Sequence, residues 1–528
     1  MKSQWITRIE WTVAALLSIA VLILLSVRAT HAGGLWRDEC GTVQLALMPD
    51  ISDILKNFQH QTLPPLFPLV IRFYARLFGT SNASLQALRL LVGAALLGVA
   101  WFNSRMLEHR APLTLLALFG LNSTFLFWGG YALLEVALIL AFGLSVKLLL
   151  QPTGRGIIAA GLAGILSVQL LINNLVLVLA MYLSAALACL ILRFYRLAGV
   201  FIGIALCCAV SDIVYLKVYA AADWAIVLKV PSTFQSIWND FQTALGRPYS
   251  ILPGTWYALF FATIVGACWQ LVITLRRQSR QPVLLLFGIL LSVLAPLAYF
   301  ISVSLAGRLT HPRHFLPLVA LLAATIDLLI AELASINWVR LARLGVAFAA
   351  LLFVPAAVWP EMIKRQTNID IVAQTLEQDA GRHDLIVVNP SSLGISFNWY
   401  YHGAAPWITI PPIQEHRIHR YDLVKSKMLE PDPLRDVRSA IRQTLESGNR
   451  VWIVGGARPP EENLPLSLPP APDLEFGWSA RAYSNVWSLQ LGDFLKTHVE
   501  LGNVVISPAS DVSDTENVPL LVAQGWRD

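Results

Sequence analysis

Asp38 and Glu39 are adjacent carboxylates in the run Leu35-Trp36-Arg37-Asp38-Glu39-Cys40-Gly41-Thr42, just past the first hydrophobic segment of the chain. Two acids side by side at a membrane surface are costly unless they pair or do chemistry. A carboxylate within hydrogen-bond reach of a hydroxyl or amine can act as its general base. A second polar stretch, Arg308-Leu309-Thr310-His311-Pro312-Arg313-His314, is basic instead. Arg and His side chains there can bind a phosphate through charge-assisted hydrogen bonds. Acids in one loop and bases in another describe a site for a phosphate-bearing lipid that is attacked by a nucleophile. His60 and Glu135 are further candidates for holding a substrate, Glu135 because it lies near one end of an apolar segment.

Each residue also has a plainer reading. Asp38 and Glu39 could serve a helix beginning near Thr42, where negative charge is favoured. Arg308 and its neighbours could be interfacial anchors for lipid head groups, and His60 a surface histidine. Cys40 reads as a small packing residue rather than a ligand or nucleophile. The other cysteines, Cys189, Cys207, Cys208 and Cys268, lie in apolar runs, so neither a disulfide framework nor a zinc spacing follows. A divalent metal is compatible with Asp38 and Glu39, but no ligand spacing demands one, so no cofactor is expected.

The elements that must position these residues are mostly membrane helices. Hydrophobic residues make up 56% of the 528 residues and charged residues 14%, and the mean hydropathy is +0.60. A soluble domain carries nearly twice that charge. The net charge of +6 is scattered and forms no basic stripe, which excludes a nucleic-acid partner. Long apolar runs occur at 11–28, 85–104, 113–128, 131–150, 157–172, 174–192, 198–220, 255–275, 282–306, 315–333 and 343–360. Each is near the length needed to cross a hydrocarbon core of ~30 Å. The stretch 62–79 opens with Pro64, Pro65 and Pro68 and contains Arg72 and Arg76, which argues against a span. Excluding it leaves eleven spans with a cytoplasmic N-terminus. The clusters Arg105/His109/Arg110, Lys147/Arg155, Arg193/Arg196, Arg276/Arg277/Arg280 and Arg340/Arg343 then fall in cytoplasmic loops. On this topology 51–60 and 62–79 are surface helices, and 29–84, 221–254, the Arg308 segment and the chain after 361 face outward. Lys2, Arg8 and Ala29-Thr30-His31-Ala32 imitate a signal peptide, but an uncleaved first helix is expected, because the loop after it leads into more membrane structure.

After residue 361 the pattern changes. The bursts Leu385-Ile386-Val387-Val388, Trp407-Ile408-Thr409-Ile410 and Val451-Trp452-Ile453-Val454 read as strands, with helical spacing over 430–447. That alternation predicts a small α/β domain over 361–528, after a membrane domain over 1–360. Gly455-Gly456 reads as a structural turn, since G-x-G-x-x-G is absent. Trp399, Tyr400 and Tyr401 could stack on sugar rings, though core packing is the commoner use of such residues.

Leu35-Trp36-Arg37-Asp38-Glu39, then Leu63-Pro64-Pro65-Leu66-Phe67, Leu77-Phe78-Gly79-Thr80-Ser81 and Ala87-Leu88-Arg89-Leu90, resemble the glycosyltransferase family 39 superfamily. Its members include protein mannosyltransferases and lipid A aminoarabinose transferases of the GT-C fold. Pro312-Arg313-His314-Phe315-Leu316-Pro317 is similar to the family's Arg-Tyr-Leu-x-Pro segment, with His in place of Tyr. Two departures stand out. Leu63 occupies the place of the usual His or Lys before Pro-Pro, and Phe127-Trp128-Gly129-Gly130-Tyr131 lacks an expected arginine. The resemblance covers the chain to about residue 360. It implies a GT-C-like membrane enzyme of the cell envelope, in a bacterial inner membrane, using a polyprenyl-phosphate sugar donor. Asp38 would be the general base, Glu39 its orienting partner or acceptor contact, and Arg308 and Arg313 the stabilisers of the leaving phosphate, with His311 or His314 assisting. The acceptor is left open. The rival readings are a transporter or lipid flippase and a non-catalytic assembly protein; charge gathered at the surface and the lack of a sequence repeat favour the enzyme.

Overall fold

The computed structural model describes residues 2–61, 63–106, 110–127, 133–221, 233–246, 251–276, 282–306, 310–333, 337–459, 466–475 and 477–528. The chain divides into two compact units. The first comprises residues 1–30, 83–216 and 232–362, and the second 31–82, 217–231 and 363–528. The loop that carries Asp38 and Glu39 is therefore built into the same unit as the chain after 363.

The first unit is a multi-pass membrane assembly whose named elements, among the described residues, are all helices. Among the described residues eight helices are long and apolar enough to cross a membrane. They lie on the expected runs, beginning with Trp5–His31 and ending with Asn337–Met362. The run at 131–150 gives the helix Leu133–Leu150, and the run at 157–172 a shorter one, Gly154–Leu170. The run at 113–128 is not one helix. A π-helical turn over Leu115–Gly120 precedes a short helix, Ser123–Phe127. Asn122 makes the break, because its Oδ1 accepts the backbone N–H groups of Thr124 (2.9 Å) and Phe125 (3.3 Å) and so starts the second helix.

Arg340 and Arg343, counted above as cytoplasmic loop charges, lie instead inside the helix Asn337–Met362 and are buried. Arg340 Nη2 meets Glu10 Oε2 at 2.6 Å, and Arg343 bridges Glu10 Oε1 (2.9 Å) to Asp327 Oδ1 (3.0 Å). Asp327 also accepts the backbone N–H groups of Thr114 and Leu115, each at 3.0 Å. Two acids and two arginines thus neutralise one another where neither sign would be tolerated alone.

The second unit is built on a mixed five-stranded sheet of order β2-β1-β3-β5-β4. Its strands are β1 (Leu385–Asn389), β2 (Trp407–Thr409), β3 (Val451–Gly455), β4 (Val499–Ile506) and β5 (Leu520–Trp526). β1 pairs in parallel with β2 and β3, while β5 runs antiparallel to β3 and β4. Every residue of β1 and β3 is buried, because helices cover both faces of the sheet. Val437, Ile441 and Leu445 of Arg435–Glu446 fill one core, and Ile369, Val372 and Leu376 of Ile369–Asp379 the other. β4 and β5 were not anticipated: β4 is an exposed edge strand with Glu500 and Gly502 interrupting its apolar residues. Gly455 ends β3 at φ 93°, and a Cβ there would run into the Asn389 carbonyl, so the Gly-Gly pair is a structural turn.

Candidate functional site

Asp38 and Glu39 occupy the first turn of the helix Arg37–Ala46. The helix starts five residues earlier than Thr42, the start allowed for above. Trp36, its N-cap residue, makes no side-chain cap, so the two acids supply the negative charge that the helix N-terminus favours. Gly33 turns the chain into this helix at φ 68°, and a Cβ there would lie 2.6 Å from Arg365 Cζ.

The rest of this helix is fixed to the sheet domain within the same unit. Gln44 Nε2 donates to the Ile395 carbonyl (3.0 Å), and Asn398 Nδ2 donates to Gln44 Oε1 (2.6 Å). The Leu35 N–H donates to the Tyr400 hydroxyl (2.6 Å), which donates in turn to Asn82 Oδ1 (2.8 Å). Buried Arg72 closes the far end by donating to the carbonyls of Ala46 (2.9 Å), Met48 and Pro49 (2.8 Å). Arg72 belongs to Leu66–Phe78, a helix of 13 residues that extends about 20 Å and falls short of a ~30 Å hydrocarbon core.

Around Asp38 the unit gathers charge from distant parts of the sequence. His419 Nε2 lies 3.2 Å from Asp38 Oδ1, and Arg37 Nε lies 3.5 Å from the same oxygen. Arg37 Nη1 donates to Ser392 Oγ (3.3 Å). The side chain of Asp38 keeps 25% of its surface exposed, whereas His419 keeps 11%. Buried Glu516 is within electrostatic reach of both Arg37 and Asp38. Its Oε1 accepts the Ser396 hydroxyl (2.8 Å), and burial pushes its pKa up to about 7 despite that bond. His60 sits within reach of Asp422, Arg420, Glu415 and His419; burial first, and then the nearby Arg420 and His419, pull it below its ordinary value against the pull of Asp422 and Glu415.

Other residues of this unit take structural parts. Cys40 is fully buried, donates to the Leu35 carbonyl (3.3 Å), and is pushed well above the usual thiol range by burial and neighbouring acids. It packs, and no thiolate is at hand. The Tyr401 ring stacks on Phe397 at 4.9 Å and its hydroxyl meets Ala405 (3.2 Å). Tyr400 and Tyr401 are thus held inside the fold. Among the described residues no three His, Cys, Asp or Glu side chains cluster as a metal site.

The basic segment belongs to the first unit. Arg308 lies outside the described residues. His311, Arg313 and His314 frame a 3-10 turn, Pro312–Phe315, at the start of the helix Leu316–Glu332. The His311 N–H donates to His314 Nδ1 (3.3 Å), and the two rings meet edge to face at 5.4 Å. Tyr299 donates its hydroxyl to the His314 carbonyl, and Thr310 donates its own to Asp240, an acid the sequence had not marked. Phe315, fully buried, packs on Phe241 (5.7 Å) and Tyr299 (5.7 Å) and anchors the turn. Glu135 is 2% exposed, within electrostatic reach of Tyr299, and its Oε2 has no hydrogen-bond partner among the described residues.

The sequence-predicted residues therefore fall into two sets. Asp38, Glu39 and His60 lie in the second unit, and His311, Arg313, His314 and Glu135 in the first. His419, Arg37 and Glu516 were missed as members of the Asp38 set. The order Glu415-His416-Arg417-Ile418-His419-Arg420-Tyr421-Asp422 is a dense ionisable run and was the available signal, but nothing in it points 381 residues back.

No model of a known protein family matches the chain, and no curated protein matches its sequence. Among solved structures it is similar to ArnT from Cupriavidus metallidurans bound to undecaprenyl phosphate, with 12% identity, a TM-score of 0.49, and coverage of 84% of this chain and 92% of that one. It is similar likewise to the apo form of the same ArnT, with 13% identity, a TM-score of 0.47, and coverage of 83% and 92%.

Proposed function

We propose that this protein is a membrane glycosyltransferase that moves a monosaccharide from a polyprenyl-phosphate donor to an extracytoplasmic acceptor. The observation that carries this reading is the setting of Asp38. Its carboxylate is partly exposed, stands on the first turn of a helix fixed by buried hydrogen bonds, and is met by His419 and Arg37. A general base needs this combination of fixed position and open access. The order of short motifs in the sequence supplies the donor class, and the apolar helices supply the membrane that such a donor requires.

In the reaction, the acceptor's hydroxyl or amine gives its proton to Asp38 as its oxygen or nitrogen bonds to the anomeric carbon. The bond from that carbon to the phosphate oxygen breaks, and the polyprenyl phosphate leaves with the electron pair. One displacement from one face inverts the configuration. Glu39 orients Asp38 or holds the acceptor. Arg308 and Arg313 stabilise the charge growing on the phosphate, with His311 or His314 assisting, and His60 and Glu135 contact substrate. The N-terminus is cytoplasmic, the chain after 361 is extracytoplasmic, and the setting is a bacterial inner membrane.

The test is transfer by the purified protein and by Asp38→Asn from a panel of radiolabelled polyprenyl-phosphate sugars. Release of polyprenyl phosphate by the unaltered protein, and none by a folded Asp38→Asn, establishes the enzyme and its base together. Equal turnover by both removes Asp38 from the mechanism. No turnover of any donor turns the reading toward transport or assembly.

A further inference from the structure

The contact between Asp38 and His419 is poorly explained as packing alone. An ionised carboxylate only accepts hydrogen bonds, so His419 must present Nε2–H to Asp38 Oδ1. The imidazole is held for that purpose. It stacks on Tyr421 with ring centres 5.4 Å apart and planes 6° from parallel, and only 11% of the side chain is exposed. The next residue's cation is engaged elsewhere, because Arg420 Nε and Nη2 donate to Asp422 at 2.8 and 2.5 Å. Arg37 meets the same Oδ1 from within the helix. One oxygen of the carboxylate thus takes a hydrogen bond from His419 and lies within ion-pair distance of Arg37.

We infer that His419 is a positioning residue for Asp38, holding its carboxylate in place for the acceptor. The inference rests on the transferase reading above and deepens it. It makes the segment between β2 and the helix Tyr421–Met428 part of the catalytic apparatus. His419 takes no proton from substrate and forms no bond; it holds Asp38 and favours its ionised form by donating to it. The titratable and charged groups that share this environment include Arg37, Cys40, Asp370, Tyr421, Glu516, His60, Glu415, Arg420 and Asp422. None of them is altered in the test.

The experiment compares the full-length protein with His419→Phe, which can keep the stack on Tyr421 but loses the donor, and His419→Gln, which keeps a donor. Sugar transfer is followed as a function of pH, with thermal unfolding measured alongside. Loss of one hydrogen bond to a charged group predicts a fall in kcat of about ten- to a hundred-fold for His419→Phe. KM stays within about threefold, since the residue does not touch the acceptor. The acid limb of the kcat/KM profile moves to higher pH, and His419→Gln recovers most of the loss.

Wild-type turnover and an unshifted acid limb in His419→Phe overturn the inference alone. An equal fall in both variants with an unmoved acid limb also overturns it, by assigning the effect to packing. Absence of transfer by the unaltered protein overturns the transferase reading and the positioning role with it. A thermal-stability cycle of Asp38→Ala and His419→Phe, each of which removes the contact, needs no substrate. A coupling near zero in that cycle overturns the contact whatever the activity.

Discussion

In the helical unit Glu10, Asp327, Arg340 and Arg343 are each no more than 2% exposed and neutralise one another. In the second unit Asp38 leaves a quarter of its side chain in solvent and takes its partners, His419 and Arg37, at 3.2 and 3.5 Å. The two clusters use similar residue types to opposite ends. A buried set with no net charge can hold helices together but offers no reactive atom to a substrate. A partly exposed acid, held by a neutral or cationic neighbour, contributes less to stability and remains available for proton transfer. Ion-pair geometry alone would not separate them; exposure does.

That contrast can be broken most directly at Asp38. Asp38→Asn is expected to cost about 10²- to 10⁴-fold in transfer rate, the usual worth of a general base, with the unfolding temperature nearly unchanged. A variant that unfolds early would place Asp38 with the structural acids instead. The converse change is Arg343→Ala, which takes the cation from buried Asp327 and leaves Glu10 with Arg340 alone. Breaking a buried pair in this way is expected to lower stability by about 3–5 kcal/mol, seen as earlier unfolding in detergent. Turnover per folded molecule should persist, and a selective loss of turnover in a stable variant would show that the buried cluster does more than hold helices.

Glu516 sharpens the comparison through pH. Burial raises its pKa from the ordinary 4.5 to about 7, so the folded unit holds that proton more tightly than the unfolded chain. Its contribution is therefore fully present below about pH 4.5 and is lost as pH rises through about 7. Glu516→Gln should flatten that part of the stability profile, as read from unfolding temperatures between pH 5 and 8. An unchanged slope would remove Glu516 as its source. The smallest effect is expected at Cys40. Because the thiol is buried and pushed up, Cys40→Ala should leave transfer kinetics unaltered, and thiol reagents should fail to label it in the native protein. Rapid labelling would mean that the first turns of the Arg37–Ala46 helix open to solvent.

Much of the helical architecture was legible because lipid imposes a single requirement, an apolar run long enough to satisfy its own backbone. The exception at 113–128 shows where the signal stops. Apolar composition carries across Asn122, but the amide side chain captures two backbone N–H groups and restarts the helix. Arg340 and Arg343 were read as loop charges because the sequence does not display the acids at 10 and 327 that bury them. Strands β1, β2 and β3 stood out as apolar bursts bounded by turns. β4 did not, since an edge strand can mix Glu500 and Gly502 into its length without cost to the core.

The sequence by itself determined the solvent, the approximate spans, the α/β character of the chain after 361, and the acids and bases that could react. Composition and periodicity carry that information because each span or strand meets its needs locally. Only the tertiary structure decided that residues 31–82 share a unit with the chain after 363 and that His419 reaches Asp38. That pairing joins residues 381 apart. It depends on where the sheet domain places one loop against one helix, and no local pattern encodes such a distance.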